Sequence, residues 1–299
     1  MLLPTVGPTL FDADRGPVGT PPGYPGGEVA LTVVRVGKQA VFTVYPPYTQ
    51  NSAPFEVLEY TGPSSPPRSL GRAWSVAPDA AGEGVWLIRQ DGPDDCRLQH
   101  VSLAKGELGR GQSASCRTQV RTETAHGLLI TINGGAAEST DVLIEPVTGR
   151  TVRQAPRILG AAGDWLLLDG LTDLTLVDLR AGSSKKLNRP AIGGAPTVVP
   201  SREGAVWAVD FANPAHRNTS TQVRDLWLLR PAGPTWEHVP GMPFATEHLK
   251  RGGGFDWSAA GDLVLADGVL AAWHPGEPRW RLGQAALPKG NWSGFTVLF

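Results

Sequence analysis

The chain has 299 residues, and its formal net charge of −1 leaves no basic excess that could neutralise the phosphates of a nucleic acid. We therefore expect no nucleic-acid partner. Gly (37) and Pro (27) are abundant, but they stand between short apolar runs, and the chain also has 10 Trp. This arrangement argues against a disordered chain and favours a folded one rich in turns.

The first 27 residues include the stretch GPVGTPPGYPGG and are predicted to be a Pro/Gly-rich lead-in rather than a domain. Residues 28–299 are predicted to form one domain. No apolar run reaches the roughly 20 residues that cross a bilayer, so we predict no transmembrane segment in this chain. The start lacks the charged region of a signal peptide, so an exported form would have lost its signal or its membrane anchor.

Six short apolar runs recur about every forty residues, a spacing typical of propeller blades. They are AVFTV, VWLIR, LLITI, WLLLD, VWAVD and LVLAD. Most follow a small polar turn, and a further apolar run comes after each of them. This order predicts an all-β fold, a six-bladed β-propeller with four-stranded antiparallel blades. The longer interval before the last run leaves seven blades as the alternative.

Two stretches carry a degenerate blade motif. They are FDWSAAGDLVLADG and SVAPDAAGEGVWLI, and the matching residues are Trp257, Ser258, Gly261 and Asp262 in the first and Pro78 and Asp79 in the second. The motif resembles the W-S-P-D-G signature of TolB-type, WD40-like propeller repeats. The resemblance implies the propeller architecture and brings no catalytic residue with it.

The ends of a propeller have to be joined, and two segments are suited to this. One is the terminal stretch Asn291–Phe299, and the other is the apolar stretch Glu28–Val36. We expect one of them to close the ring.

Cys96 and Cys116 are the chain's two cysteines. The repeat places Cys96 at the start of the third strand of the second blade and Cys116 at the start of the fourth, with a loop around KGELGRG between the two strands. In an antiparallel pair of strands, the Cβ atoms of directly opposite residues lie about 4.5–5.5 Å apart, which is near the range of a disulfide. Two buried thiols are an alternative, and so is a metal site with His100, although a zinc site needs a fourth ligand that is not evident nearby.

A disulfide is typical of an oxidising compartment, so the favoured pairing predicts an extracytoplasmic protein, either secreted or clipped from a membrane anchor. A cytoplasmic location stays open as the alternative.

The long loops of a propeller meet at one mouth of its channel, and here they carry Asn, Tyr and cationic side chains. The residues predicted to gather there as a ligand-binding set are Tyr48, Asn51, Asn133, Asn213, His216, Arg217, His248, Lys250 and Arg251. A neutral-to-basic set of this kind suits an acidic sugar, a carboxylate or a peptide. The sequence has no nucleophile elbow, zinc-protease motif or P-loop, so we predict no catalytic residue, metal or cofactor.

The sequence therefore predicts a monomeric, non-catalytic binding or scaffolding propeller that recognises a protein partner or an acidic ligand, such as an acidic glycan, through one face. One alternative is a polysaccharide-active enzyme, with His216 or His248 as the base and neighbouring Arg side chains on a uronate carboxylate. Another alternative is the sensor ectodomain of a membrane-anchored protein.

Overall fold

The computed structural model describes residues 2–5, 7–12, 14–19, 31–37, 39–44, 54–60, 62, 64–92, 95–133, 139–170, 172–190, 196–201, 203–212, 224–241, 254–267, 269–287 and 295–297. Within these ranges every regular element is a β-strand. None of them contains a helix with the length and hydropathy that crossing a membrane requires.

The N-terminal residues form a three-stranded antiparallel sheet. Its strands are β1 (Leu2–Thr5), β2 (Gly7–Asp12) and β3 (Gly16–Gly19). The Asp12 carboxylate accepts the backbone N–H groups of Asp14 and Arg15 at 2.9 and 3.0 Å, and these two bonds lower the pKa of Asp12. Residues 2–5, 7–12 and 16–19 of the predicted Pro/Gly-rich lead-in thus form strands. The predicted boundary after residue 27 lies outside the described residues and stays a prediction.

Seven antiparallel strands follow in a single sheet, each paired with its neighbour in the chain. They are β4 (Leu31–Val36), β5 (Gln39–Val44), β6 (Phe55–Glu59), β7 (Arg68–Pro78), β8 (Gly84–Gln90), β9 (Cys96–Ser102) and β10 (Gly106–Ala114).

Four separate four-stranded antiparallel blades complete the fold. The first has β11 (Thr118–Thr124), β12 (Gly127–Ile132), β13 (Thr140–Ile144) and β14 (Thr151–Ala155). The second has β15 (Ile158–Ala162), β16 (Trp165–Asp169), β17 (Asp173–Asp178) and β18 (Ser183–Asn188). The third has β19 (Thr197–Pro200), β20 (Trp207–Ala212), β21 (Arg224–Arg230) and β22 (Thr235–His238). The last has β23 (Phe255–Trp257), β24 (Leu263–Asp267), β25 (Val269–Trp273) and β26 (Arg281–Ala286).

The all-β propeller with four-stranded antiparallel blades is confirmed, and the six predicted apolar runs lie in the second strands β5, β8, β12, β16, β20 and β24. The predicted number of blades is wrong, because the described residues form five four-stranded blades rather than six or seven. The reason is the long strand β7. Its first half, up to Ala73, pairs with β6, and its second half, from Ala73, pairs with β8. Strands β4–β6 therefore have no fourth strand of their own and merge with the blade β7–β10.

Hydrophobic clusters lie between successive sheets and hold the ring together. One of them joins Trp86 and Ile88 of β8 to Leu128 and Ile130 of β12. Equivalent clusters lie at the next three interfaces and between β4–β6 and β7–β9. The fully buried Trp207 belongs to one of these clusters, as expected for an aromatic side chain that fills the wedge between blades.

A disulfide joins Cys96 to Cys116, whose Cα atoms lie 5.1 Å apart. Cys96 begins β9, as predicted, but Cys116 lies in the connection between β10 and β11 instead of in a fourth strand. On the neighbouring strand β10, the residue paired with Cys96 is Ala114. The fourth strand is the Gly-rich β10, which the sequence had suggested was a loop. The bond therefore ties one blade to the crossover that leads into the next.

The two segments predicted to close the ring both reach the last blade, where their side chains and backbone form one network. Arg35 of β4 donates from Nη1 to the carbonyl oxygens of Trp257 and Val297 at 2.7 and 2.9 Å. Its guanidinium lies 3.6 Å from Asp256 of β23. The same Asp256 oxygen accepts from Thr296 Oγ1 and from the Val297 N–H, at 3.0 and 2.9 Å. Polar bonds thus join β4, β23 and the C-terminal residues.

The first prediction concerns the disulfide. In denaturant, iodoacetamide should label neither cysteine before reduction and both after it, as mass spectrometry will show. Opening a loop with a sequence separation of 20 should lower the free energy of unfolding by about 3 kcal/mol in the chain-entropy model. Labelling of unreduced protein would contradict the bond.

The second prediction concerns the network around Arg35. Arg35→Gln should lower the free energy of unfolding by about 2 kcal/mol, because charged hydrogen bonds at a half-buried site are lost. The control is Arg230→Gln, which breaks an exposed 3.1 Å ion pair with Glu237 and should cost less than about 1 kcal/mol. The measurement is chemical unfolding, and equal losses in the two variants would show that the network is not a structural closure.

Candidate binding site at the channel mouth

The innermost strands β11, β15 and β19 line the central channel. Side chains alternate along β11: Thr118 and Val120 are buried in the blade, whereas Gln119, Arg121 and Glu123 line the channel cavities. We call the end at which these strands begin the upper end. The end at which they turn into the second strands is the lower end.

Two cavities open along the channel. The upper cavity, of about 550 Å³, is lined by residues that include Gln119, Arg121, Thr131, Asp141, Arg157 and Thr197. The lower cavity, of about 630 Å³, is lined by residues that include Arg35, Asp79, Arg121, Glu123, Ser201 and Glu203. Both volumes lie within the range of small-ligand pockets. Arg121 lines both cavities and therefore stands at their boundary.

Arg121 is held across the gap between two blades. Its Nη1 donates to Asp141 Oδ2 at 3.2 Å and to the Ile158 carbonyl, and its Nη2 donates to the Leu159 carbonyl at 3.1 Å. Burial lowers the pKa of Arg121, the charge of Asp141 raises it, and the charge of Arg157 lowers it. A guanidinium stays protonated in proteins. Arg121 is therefore a fixed positive charge in the channel wall.

Asp141 holds this arrangement together. Its side chain is only 7% exposed. Besides Arg121 on β11, its oxygens accept from Thr131 Oγ1 on β12 at 2.6 Å and from the backbone N–H of Ile158, the first residue of β15. One carboxylate on β13 thus bonds two strands of its own blade and the innermost strand of the next blade. Such a buried charge is tolerated because its oxygens are occupied by donors.

A second group of charges lies beside the upper cavity. Arg157, whose side chain is 54% exposed, lies 3.4 Å from Asp169 Oδ2, while Arg189 bonds the other oxygen of Asp169. Because Arg189 shares this carboxylate, the charge of Arg157 is only partly offset. Arg157 therefore adds positive charge to the wall of the upper cavity.

The charges of the described lining residues sum to opposite signs in the two cavities. The lining of the upper cavity contains Arg121 and Arg157 against Asp141. The lining of the lower cavity contains Arg35 and Arg121 against Asp79, Glu123 and Glu203. A cavity lined by one sign of charge attracts a ligand of the other sign. The upper cavity therefore suits an anionic group. In the part of the chain that the structure describes, His, Cys, Asp and Glu side chains form no cluster that could hold a metal ion.

No known protein-family model matches the chain, and no curated protein matches it. Solved structures do. The β-propeller domain of Cps50 (Swd1) from Myceliophteria thermophila has a TM-score of 0.55 at 13% identity and covers 91% of each chain. KlAtg21, in a complex with the coiled-coil of AgAtg16, has a TM-score of 0.54 at 6% identity over 87% of this chain and 84% of that one. The WD40 domain of Toxoplasma gondii coronin has a TM-score of 0.51 at 9% identity over 96% and 75%.

The fold is a WD40-like β-propeller. Identities this low show the fold alone.

The ligand-binding residues predicted from the sequence lie outside the described residues, with the exception of Asn133. The excluded ones are Tyr48, Asn51, Asn213, His216, Arg217, His248, Lys250 and Arg251. Their chain segments connect β5 to β6, β20 to β21 and β22 to β23, and the described strands begin or end these connections at the upper end of the propeller. Asn133 is also at that end, where Nδ2 donates to the Arg117 carbonyl at 3.0 Å and Oδ1 accepts from Ser139 at 2.9 Å.

The residues predicted from the sequence do not include Arg121, Asp141 or Arg157. A signal for Arg121 was present, since the alternation in TQVRTET places Gln119, Arg121 and Glu123 on one side of an innermost strand. Asp141 also has a signal, because it recurs as an Asp at the second position of the third strand, where Asp225 stands in another blade. Nothing in the sequence distinguishes the buried Asp141 from its exposed equivalent.

The third prediction tests Asp141. Asp141→Asn should lower the free energy of unfolding by about 2 kcal/mol, because Arg121 and the Ile158 N–H lose their charged acceptor. The matched control is Asp173→Asn. Asp173 is 28% exposed and pairs with an 81% exposed Lys186 at 3.0 Å, so this change should cost less than about 1 kcal/mol. Urea unfolding of both variants is the measurement, and a loss in Asp141→Asn no greater than in the control would contradict the role assigned to Asp141.

Proposed function

We propose that the protein is a non-catalytic binding or scaffolding propeller that recognises a protein partner through the upper end of its channel. The observation that carries this proposal is the upper cavity, an open polar site whose wall holds the charges of Arg121 and Arg157. The contacts of Arg121 with Asp141, Ile158 and Leu159 hold its charge in place without a ligand, so this part of the proposed site is organised before a partner arrives.

Two further observations support the upper end. The connections that carry the sequence-predicted residues start and finish there, and loops of this kind supply the binding surfaces of rigid scaffolds. A propeller of the same fold, KlAtg21, has been solved with the coiled-coil of another protein. The similarity to it is one of fold, so the identity of a partner has to come from the chemistry of this chain.

Several narrower proposals accompany this one. The disulfide Cys96–Cys116 supports an extracytoplasmic location. The motif residues around Trp257 support a TolB-type relationship. We also propose a monomer, and we keep the acidic glycan as the alternative ligand. No described contact favours the polysaccharide-active enzyme or the sensor ectodomain over the binding module.

The fourth prediction tests which end of the propeller binds. Cross-linking should capture a protein partner on the wild-type chain. It should capture the same partner on the variant Glu203→Gln, which changes a residue of the lower cavity. Capture should fall at least about tenfold with Arg157→Glu, because a charge of the wrong sign then faces the partner at the upper cavity. Quantitative mass spectrometry of the captured proteins is the measurement.

Two outcomes would contradict the proposal. A partner that Arg157→Glu captures as well as the wild type does would place the binding surface elsewhere. Turnover of an added polysaccharide by the wild-type chain would favour the enzyme alternative.

A further inference from the structure

The two guanidinium groups in the wall of the upper cavity favour a ligand that carries a carboxylate. Arg121 and Arg157 supply guanidinium groups, which present planar sets of donors that match the two oxygens of a carboxylate. Three donor contacts of Arg121 are made to Asp141, Ile158 and Leu159, out of the five N–H groups that an arginine carries. The side chain is 33% exposed, so part of it faces the cavity.

The charges do not cancel within the wall. Asp141 is occupied by Thr131, Ile158 and Arg121, and Asp169 is shared between Arg157 and Arg189. Among the described residues that line the cavity, Arg121 and Arg157 carry positive charge and Asp141 carries negative charge, so this part of the wall has one positive charge more than it has negative ones. A single carboxylate from a ligand would restore neutrality at a place where the charges are partly withdrawn from water.

The uncharged residues of the lining favour a peptide over a sugar as the ligand. Pro156, Ile158, Pro196 and Val198 give the cavity an apolar part, while Thr197 and Gln119 add polar groups. No Trp, Tyr or Phe is among the described lining residues. Sugar rings usually pack face-on against aromatic rings, whereas apolar and hydroxyl-bearing walls suit the alternating side chains of an extended peptide.

We propose that the upper cavity binds a Glu or Asp side chain of a peptide segment, with the carboxylate held by Arg157 and Arg121 and the flanking apolar side chains against Pro156 and Val198. This inference rests on the proposed function, since it names the chemistry by which the partner is recognised. It assigns Arg157 as a contact residue and Asp141 as a positioning residue, which holds Arg121 in the cavity wall.

The test is a calorimetric titration of the full chain with the blocked peptide acetyl-Gly-Leu-Glu-Leu-Gly-amide and with its Gln analogue. The Glu peptide should bind with a Kd in the millimolar range or tighter, and the Gln analogue at least about tenfold more weakly. Arg157→Gln should weaken binding of the Glu peptide about tenfold. Because the Arg157 side chain is 54% exposed, this variant should keep the fold.

The matched control is Arg281→Gln. Arg281 is 59% exposed and lies 3.0 Å from Asp262, so the control removes the same charge from a similar surface ion pair away from the channel. Its affinity for the Glu peptide should stay within about twofold of the wild type, since it changes only the net charge.

Four results would overturn the inference. They are equal affinity for the two peptides, equal loss in the two arginine variants, no saturable binding up to about 10 mM, and tighter binding of a uronate oligosaccharide that Arg157→Gln abolishes. The last would assign the cavity to an acidic glycan. Failure here is distinguishable from failure of the proposed function, because end-specific capture of a protein partner does not require a carboxylate.

Discussion

The carboxylate of Asp141 accepts hydrogen bonds from two strands of its own blade and from the first backbone N–H of the next blade. Hydrophobic clusters supply most of the cohesion between blades. Hydrophobic contact is non-directional, however, so it does not by itself fix the positions of the side chains in the channel wall. The hydrogen bonds that Asp141 accepts are directional. They fix where β15 begins relative to β11, and they place the charge of Arg121 in the wall between the upper and lower cavities. Because Arg121 lines both cavities, the electrostatic difference between the two ends comes from the other lining residues, with Arg157 in the upper cavity and Asp79, Glu123 and Glu203 in the lower one.

That difference gives the propeller a polarity that its repeated architecture does not have. Each blade is built from the same strand order, yet the described residues of the upper lining hold a positive excess and those of the lower lining a negative one. The upper end is also where the long connections leave the strands, so the positive charge and these connections coincide there. The positively charged, loop-bearing end is the platform on which the proposed binding of an acidic segment of another protein depends. The Cys96–Cys116 bond and the Arg35 network keep the crossover and the chain ends in place around this platform.

The features that repeat locally along the chain were predictable from the sequence. The second strands were predictable because runs such as LLITI are almost entirely apolar, as expected for a strand whose first four residues, 127–130, are buried. Strand β10 was not, since Gly106, Gly109 and Gly111 made it resemble a loop, although its backbone pairs with β9 and has a register shift. The number of blades was predicted wrongly for a related reason. No local pattern shows that β7 pairs with β6 along one half and with β8 along the other. Arg121 and Asp141 lie on different strands, so their contact depends on register, which periodicity does not supply.

The most direct test of the account is amide hydrogen exchange of the full chain with and without the Glu peptide at saturating concentration. The account predicts slower exchange in the segments around the upper cavity, 118–121, 139–142, 157–159 and 196–198, and unchanged exchange in the lower turns 79–83 and 123–126. Protection confined to the lower turns, or no change around Asp141 and Ile158 under saturation, would contradict a carboxylate site organised by the Asp141 network.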